Sequence, residues 1–175
     1  MPSPFRMVAL TAHVVSSVGW FGAVAVFLVV AVVGITSQDP QTVRGAYLVM
    51  EPTGWFILVP LSVASLLTGL VSSLGSKWGL FQHYWVLAKL LMNVFATVVL
   101  LMYMQTLNHL AGVATRTSSG GDLSELRSPS PLLHAGAALL LLLVATTLAV
   151  FKPRGMTPYG QRKRQQHALS QPWTQ

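Results

Sequence analysis

The chain has 175 residues, 53% hydrophobic and only 9% charged, with a formal net charge of +7. This composition fits one membrane domain and excludes a separate soluble one. The absence of cysteine rules out disulfides, thiolate metal centres and cysteine nucleophiles.

Four stretches, 7–35, 53–74, 84–107 and 131–151, contain a single charged residue, Lys89. Each has at least the about 20 helical residues needed to cross a hydrocarbon core about 30 Å thick. The expected fold is therefore all-α and polytopic, an up-down four-helix transmembrane bundle over residues 1–151. The first stretch follows Met-Pro-Ser-Pro-Phe-Arg and runs for 29 residues. A cleavable signal carries an apolar region of only about 7–15 residues, so it reads as an uncleaved span. His13 lies about two turns into it, with Ser16, Ser17 and Trp20 on the same helix face.

Residues 36–52 read as a loop holding Asp39, Arg44 and Glu51. The second span carries Gly54, Ser62, Ser65, Gly69, Ser72 and Ser73, with Ser65/Gly69 and Gly69/Ser73 spaced for close helix approach. That face reads as a packing surface or, alternatively, as the lining of a polar path or flat cofactor. Pro60 is expected to kink the span or loosen its hydrogen-bond ladder. After the short loop 75–83, with Lys77, the third span places Lys89, Asn93 and Thr97 on one face. Such a stripe points into the bundle. Lys89 alone has a second reading, in which its flexible stem snorkels back to the membrane surface. His83 and His109 flank this span at opposite interfaces, where an imidazole is comfortable without a ligand. Trp55, Phe56, Trp78, Phe81, Tyr84 and Trp85 read as interfacial belts.

Residues 108–130 are rich in Ser, Gly and Thr and read as a flexible connection. Pro131 stands where a fourth helix would open, close to His134. The basic segment 152–175 reads as a disordered tail. Its cations Lys152, Arg154, Arg162, Lys163 and Arg164 follow the last span directly, which argues for anionic lipid headgroups and against nucleic acid as their partner. Arg6, Lys77 and these five share one side without any acid, whereas Arg44, Arg116 and Arg127 share the other with all four acids. Counting Lys and Arg in flanking segments places both termini in the cytoplasm, in a plasma (inner) membrane.

No nucleophile–base pair, phosphate loop or carboxylate pair is present, and buried acids for a proton pump are absent from the spans. The candidate chemistry therefore rests on imidazoles. His13, His83, His109 and His134 are possible ligands for b-type haem or copper, which require neutral rings projecting from facing helices.

The pattern His13-x6-Trp20-x-Gly22, followed by Trp85-x3-Lys89-Leu90-x-Met92, resembles small bacterial four-helix membrane proteins of the group that includes the copper-resistance protein D domain. It is also similar to the haem-containing protoporphyrinogen oxidase HemJ. The resemblance implies that His13 is the metal or haem ligand and that Lys89 is the lysine of the third span. The chain departs from the copper group in lacking a Met/His-rich outer segment, and from HemJ in lacking an Arg after the first span. The reading that follows is a membrane protein with an intramembrane polar site for haem b or copper. His13, Lys89, Asn93 and Trp20 would hold the cofactor, and His83, His109 or His134 would supply a partner ligand. A transporter or permease-like subunit and a non-catalytic scaffold or assembly subunit, as a homo-oligomer or with a membrane partner, are the rival readings.

Overall fold

The computed structural model describes residues 3–74, 81–117, 123–151, 153 and 155–169, and every regular element within them is a helix. Lys77, Trp78, Asp122, Lys152 and Arg154, which figured in the charge and belt arguments, lie outside the described residues, as do the side chains of Lys163, Arg164 and His167. The elements are α1 (Ser3–Thr36), α2 (Pro40–Thr53), a π-helical turn (Gly54–Leu58), α3 (Val59–Leu74), α4 (Tyr84–Arg116), α5 (Ser130–Phe151) and α6 (Pro158–Leu169).

Four helical rods are long and apolar enough to cross a membrane: Pro4–Thr36, Pro40–Leu74, Tyr84–Arg116 and Ser130–Phe151. Their outward side chains are the opposite of a water-facing surface, with Val8 69%, Phe56 80% and Phe151 78% exposed. Such a surface is stable only against acyl chains, and the protein is a multi-pass, all-α membrane bundle. α1 packs on α2, α3 and α5, and α4 packs on α2, α3 and α5.

Three segments expected to be irregular are helical instead. Residues 40–53 form α2, which continues through the π-helical turn into α3. The loop reading overlooked a start signal: Asp39 accepts hydrogen bonds from the Gln41 and Thr42 amides at 3.3 and 3.0 Å, with Pro40 behind it. Asp39 is an N-cap, and Pro in the first turn sacrifices no helical bond. Val43, Ala46, Tyr47 and Met50 then repeat at helical spacing and are buried. Likewise, α4 runs on to Arg116, and residues 124–127 are a turn docked through fully buried Leu126, whose carbonyl accepts from the Tyr47 hydroxyl. Arg44 donates to the Ala114 carbonyl (2.8 Å) and Arg127 to that of Ser37 (3.2 Å), tying α2 and this turn into a cap over one end of the bundle.

At the opposite end, the segment expected to be a disordered tail carries α6. Thr157 donates its amide to the Gln82 carbonyl (2.9 Å) and its hydroxyl to that of Phe81, while His83 bridges to Met156. Gly160 lies so close that a Cβ there would sit 2.6 Å from the Gln82 oxygen. The tail and the segment before α4 therefore occupy one end of the molecule, as an even number of crossings requires.

Pro60 acts as expected, but through an inserted residue. It cannot donate to the Phe56 carbonyl, and the Val59 amide reaches back to Gly54 instead. The widened turn is accommodated because Gly54 has no side chain: a Cβ would lie 2.7 Å from the Met104 sulfur.

Candidate functional site

The polar residues of α1, α3 and α4 meet in one seam. Asn93 donates its amide to Ser65 Oγ (3.2 Å), and Ser65 Oγ lies 2.8 Å from Ser17 Oγ. Thr97, 5% exposed, approaches Asn93 Oδ1 at 3.5 Å. Ser65 accepts from α4 and shares a hydroxyl–hydroxyl hydrogen bond with α1, so two hydroxyls and an amide link three helices. Of the stripe Lys89, Asn93 and Thr97, Asn93 meets the small-residue side of span 2 through Ser65, and Thr97 is buried beside it on α4.

His13 sits at one end of this seam. Its ring packs against α3 where Gly69 leaves room; a Cβ at that position would be 2.8 Å from the ring carbon Cε1. Its Nδ1 donates to the Ser65 carbonyl at 3.0 Å. A carbonyl can only accept, so Nδ1 carries the hydrogen and the neutral ring keeps its lone pair on Nε2. Ser16 is bonded back to the Ala12 carbonyl (2.8 Å) and approaches Thr68 at 3.4 Å. One turn beyond Thr68, the buried hydroxyl of Ser72 has no partner among the described residues.

Lys89 combines its two readings. Its ammonium lies 4.6 Å from the centre of the Trp85 ring, one turn back toward the start of α4. Long helical side chains lean toward the helix N-terminus, so the stem runs toward the near membrane surface. The residue nevertheless stays half-buried, with its ammonium over an aromatic face. Trp85, expected in an interfacial belt, is 8% exposed and serves as this lysine's partner. Trp55 does stand at a boundary, donating to Asn108 at 3.0 Å.

The other candidate ligands are dispersed. His83 and His109 stand on either side of α4's apolar run, about 39 Å apart along the axis, too far to share an ion. His83 lies beside Trp85 with ring centres 6.4 Å apart. His109 is an exposed ion-pair partner of Glu125 at 2.8 Å. His134 donates Nδ1 to the Ser130 carbonyl (2.9 Å) and stacks on Tyr103 with ring centres 4.0 Å apart. Among the described residues, no group of three or more His, Asp or Glu could hold a metal ion.

Trp20 parts company with His13. It is 2% exposed and, with Phe27, Phe95, Tyr103, His134 and Ala138, lines an apolar cavity of about 120 Å³ between α1, α4 and α5. Tyr103 escaped the sequence reading because one aromatic hydroxyl inside a long apolar span has no periodic signature. Its only forward signal was that a buried phenol requires a partner, here Ser130 Oγ at 3.2 Å. Compared with known proteins, no family model matches the chain, and no curated protein or solved structure matches it either.

Proposed function

We propose that this protein is a small membrane-embedded binding protein whose site lies at the His13 end of the seam, and that b-type haem or copper is the ligand it suits. The observation that carries the reading is the bond from His13 Nδ1 to the Ser65 carbonyl over Gly69. Metal-bound histidines are held in this way, with one ring nitrogen donated to a backbone carbonyl and the other left as the ligand atom. Lys89, one turn from Asn93 on the same stripe of α4, suits a propionate or another anion. Ser72 offers an unspent hydroxyl on the same side of α3. A bound haem or copper ion would supply redox chemistry. The chain's own part is to fix the imidazole's tautomer and orientation. Among the described residues, one imidazole lies here. The test is a visible spectrum and metal content of protein purified in mild detergent. A Soret band or stoichiometric copper is expected, lost in His13→Ala and retained in His83→Ala and His109→Ala. Neither signal in the wild type overturns the reading.

A second reading, a non-catalytic scaffold, is favoured by the Asn93–Ser65–Ser17 hydrogen bonds that tie three helices together, which is how polar residues join spans. Both termini are assigned to the cytoplasmic side of the plasma membrane on the distribution of Lys and Arg, with the exposed Arg162 of α6 near anionic headgroups. Reporter fusions after Gly160 and within residues 118–121 test this, and an outward-facing tail would reverse it.

A further inference from the structure

We propose that the cavity between α1, α4 and α5 is a binding site for a single acyl chain of a membrane lipid, held with its carbonyl oxygen at Tyr103 and its tail running toward Phe95. The site is independent of the His13 seam and lies nearer the other end of the bundle.

Size narrows the occupant first. About 120 Å³ is well below the about 300–1,000 Å³ of pockets for drug-sized molecules, and is on the scale of cavities that admit one small apolar group. A porphyrin is too large, whereas one alkyl segment fits. Shape narrows it further. Phe95 and Tyr103, both lining the space, are eight positions apart on α4, or about 12 Å along the helix, so the cavity is a slot parallel to the membrane normal. Its rim includes exposed Phe95, His134 and Ala137, which places the mouth on the lipid-facing surface between α4 and α5.

Chemistry then orients the chain. One end of the slot is polar and the rest is apolar. Tyr103 is 7% exposed and accepts from Ser130 Oγ at 3.2 Å, so its own phenolic hydrogen is left to donate. His134, one turn into α5, is stacked on that phenol and tethered to the Ser130 carbonyl, which holds the pair rigid. The opening turn of α5 lies at the boundary between headgroups and hydrocarbon, the depth at which lipid carbonyls reside. A carbonyl oxygen there accepts the Tyr103 hydrogen while its chain descends from the level of Phe27 toward Trp20.

The test is photolabelling of the full chain in nanodiscs with a palmitate methyl ester carrying a diazirine near its methyl end. An alkane of equal length bearing the same group serves as comparison. Adducts are expected around Phe95 and Trp20. Ala138→Phe, which fills the slot, is expected to abolish them, and His13→Ala to leave them unchanged. Tyr103→Phe is expected to weaken ester labelling about fivefold, the size of one lost hydrogen bond, without affecting the alkane. Labelling spread evenly around the bundle, or unchanged in Ala138→Phe of wild-type helicity, overturns the site. If Ala138→Phe does not fold, Tyr103→Phe decides: equal effects on ester and alkane overturn the carbonyl contact. Displacement of the label by a quinone but not by unlabelled ester overturns the acyl assignment.

Discussion

Ser65 is the residue on which three helices agree, and Ser65→Ala measures what that agreement contributes. The substitution removes Oγ alone. The backbone carbonyl that holds His13 stays, while the Asn93 amide (3.2 Å) and the Ser17 hydroxyl (2.8 Å) each lose their partner across the interface. Ser65 is 1% exposed, so water cannot substitute freely. Interhelical hydrogen bonds in membranes average about 0.6 kcal/mol and reach about 1.7. Two of them predict a loss of about 1–3 kcal/mol, or roughly 5- to 100-fold in the folded-to-unfolded ratio. Ser62→Ala is the matched control. Ser62 is equally buried but bonds only to Val59 of its own helix (2.9 Å), and its removal should cost under about 0.5 kcal/mol. Stability is read by steric trapping in bicelles, with far-UV circular dichroism to verify helicity. In a double-mutant cycle, Ser65→Ala and Asn93→Ala should be sub-additive, because both remove the same bond. If Ser65→Ala costs no more than Ser62→Ala, or the cycle is strictly additive, the seam is not a cohesive element and the argument fails.

The remaining expectations test separate contacts. Gly69→Ala should cost about 1–3 kcal/mol by driving a Cβ into the His13 ring, and should cost much less in a His13→Ala background, again measured by steric trapping. Tyr47→Phe strands the buried Leu126 carbonyl and should destabilise by about 1–3 kcal/mol, seen as faster proteolysis within residues 123–127. His109→Ala should change stability by less than about 0.5 kcal/mol, because its ion pair with Glu125 is exposed. Hydrogen bonds from the Thr42 side chain, then the Thr42 and Gln41 amides, hold the Asp39 carboxyl below its usual range. Its contribution is therefore fully present above pH about 4 and is lost as pH falls through the lowered folded-state value, so the protection of the Thr42 and Val43 amides, relative to their intrinsic exchange rates, should fall only in acid.

What could be read in the sequence followed the strength of the physical signal. Length and hydropathy specify spans because the bilayer penalises every interruption, and only Lys89 broke the pattern. The small-residue face of span 2 and the stripe through Asn93 were legible for the same reason: neither has a use against lipid, so they had to meet inside. α2 was not legible by hydropathy, since Gln41, Thr42, Arg44 and Glu51 interrupt its apolar residues. Its signal lay in Asp39-Pro40 and in four buried positions at helical spacing, which charge counting passes over. The histidines mark the limit of sequence reasoning. Spacing could place each at a depth, but an imidazole's partner depends on which helix packs beside it. His13 met a glycine, His109 a glutamate and His134 a tyrosine. Trp20 shows the same limit on one helix. It shares the His13 face by periodicity, yet about two turns carry it from the α3 interface into the space beside α5, where an apolar cavity, and not the polar seam, surrounds it.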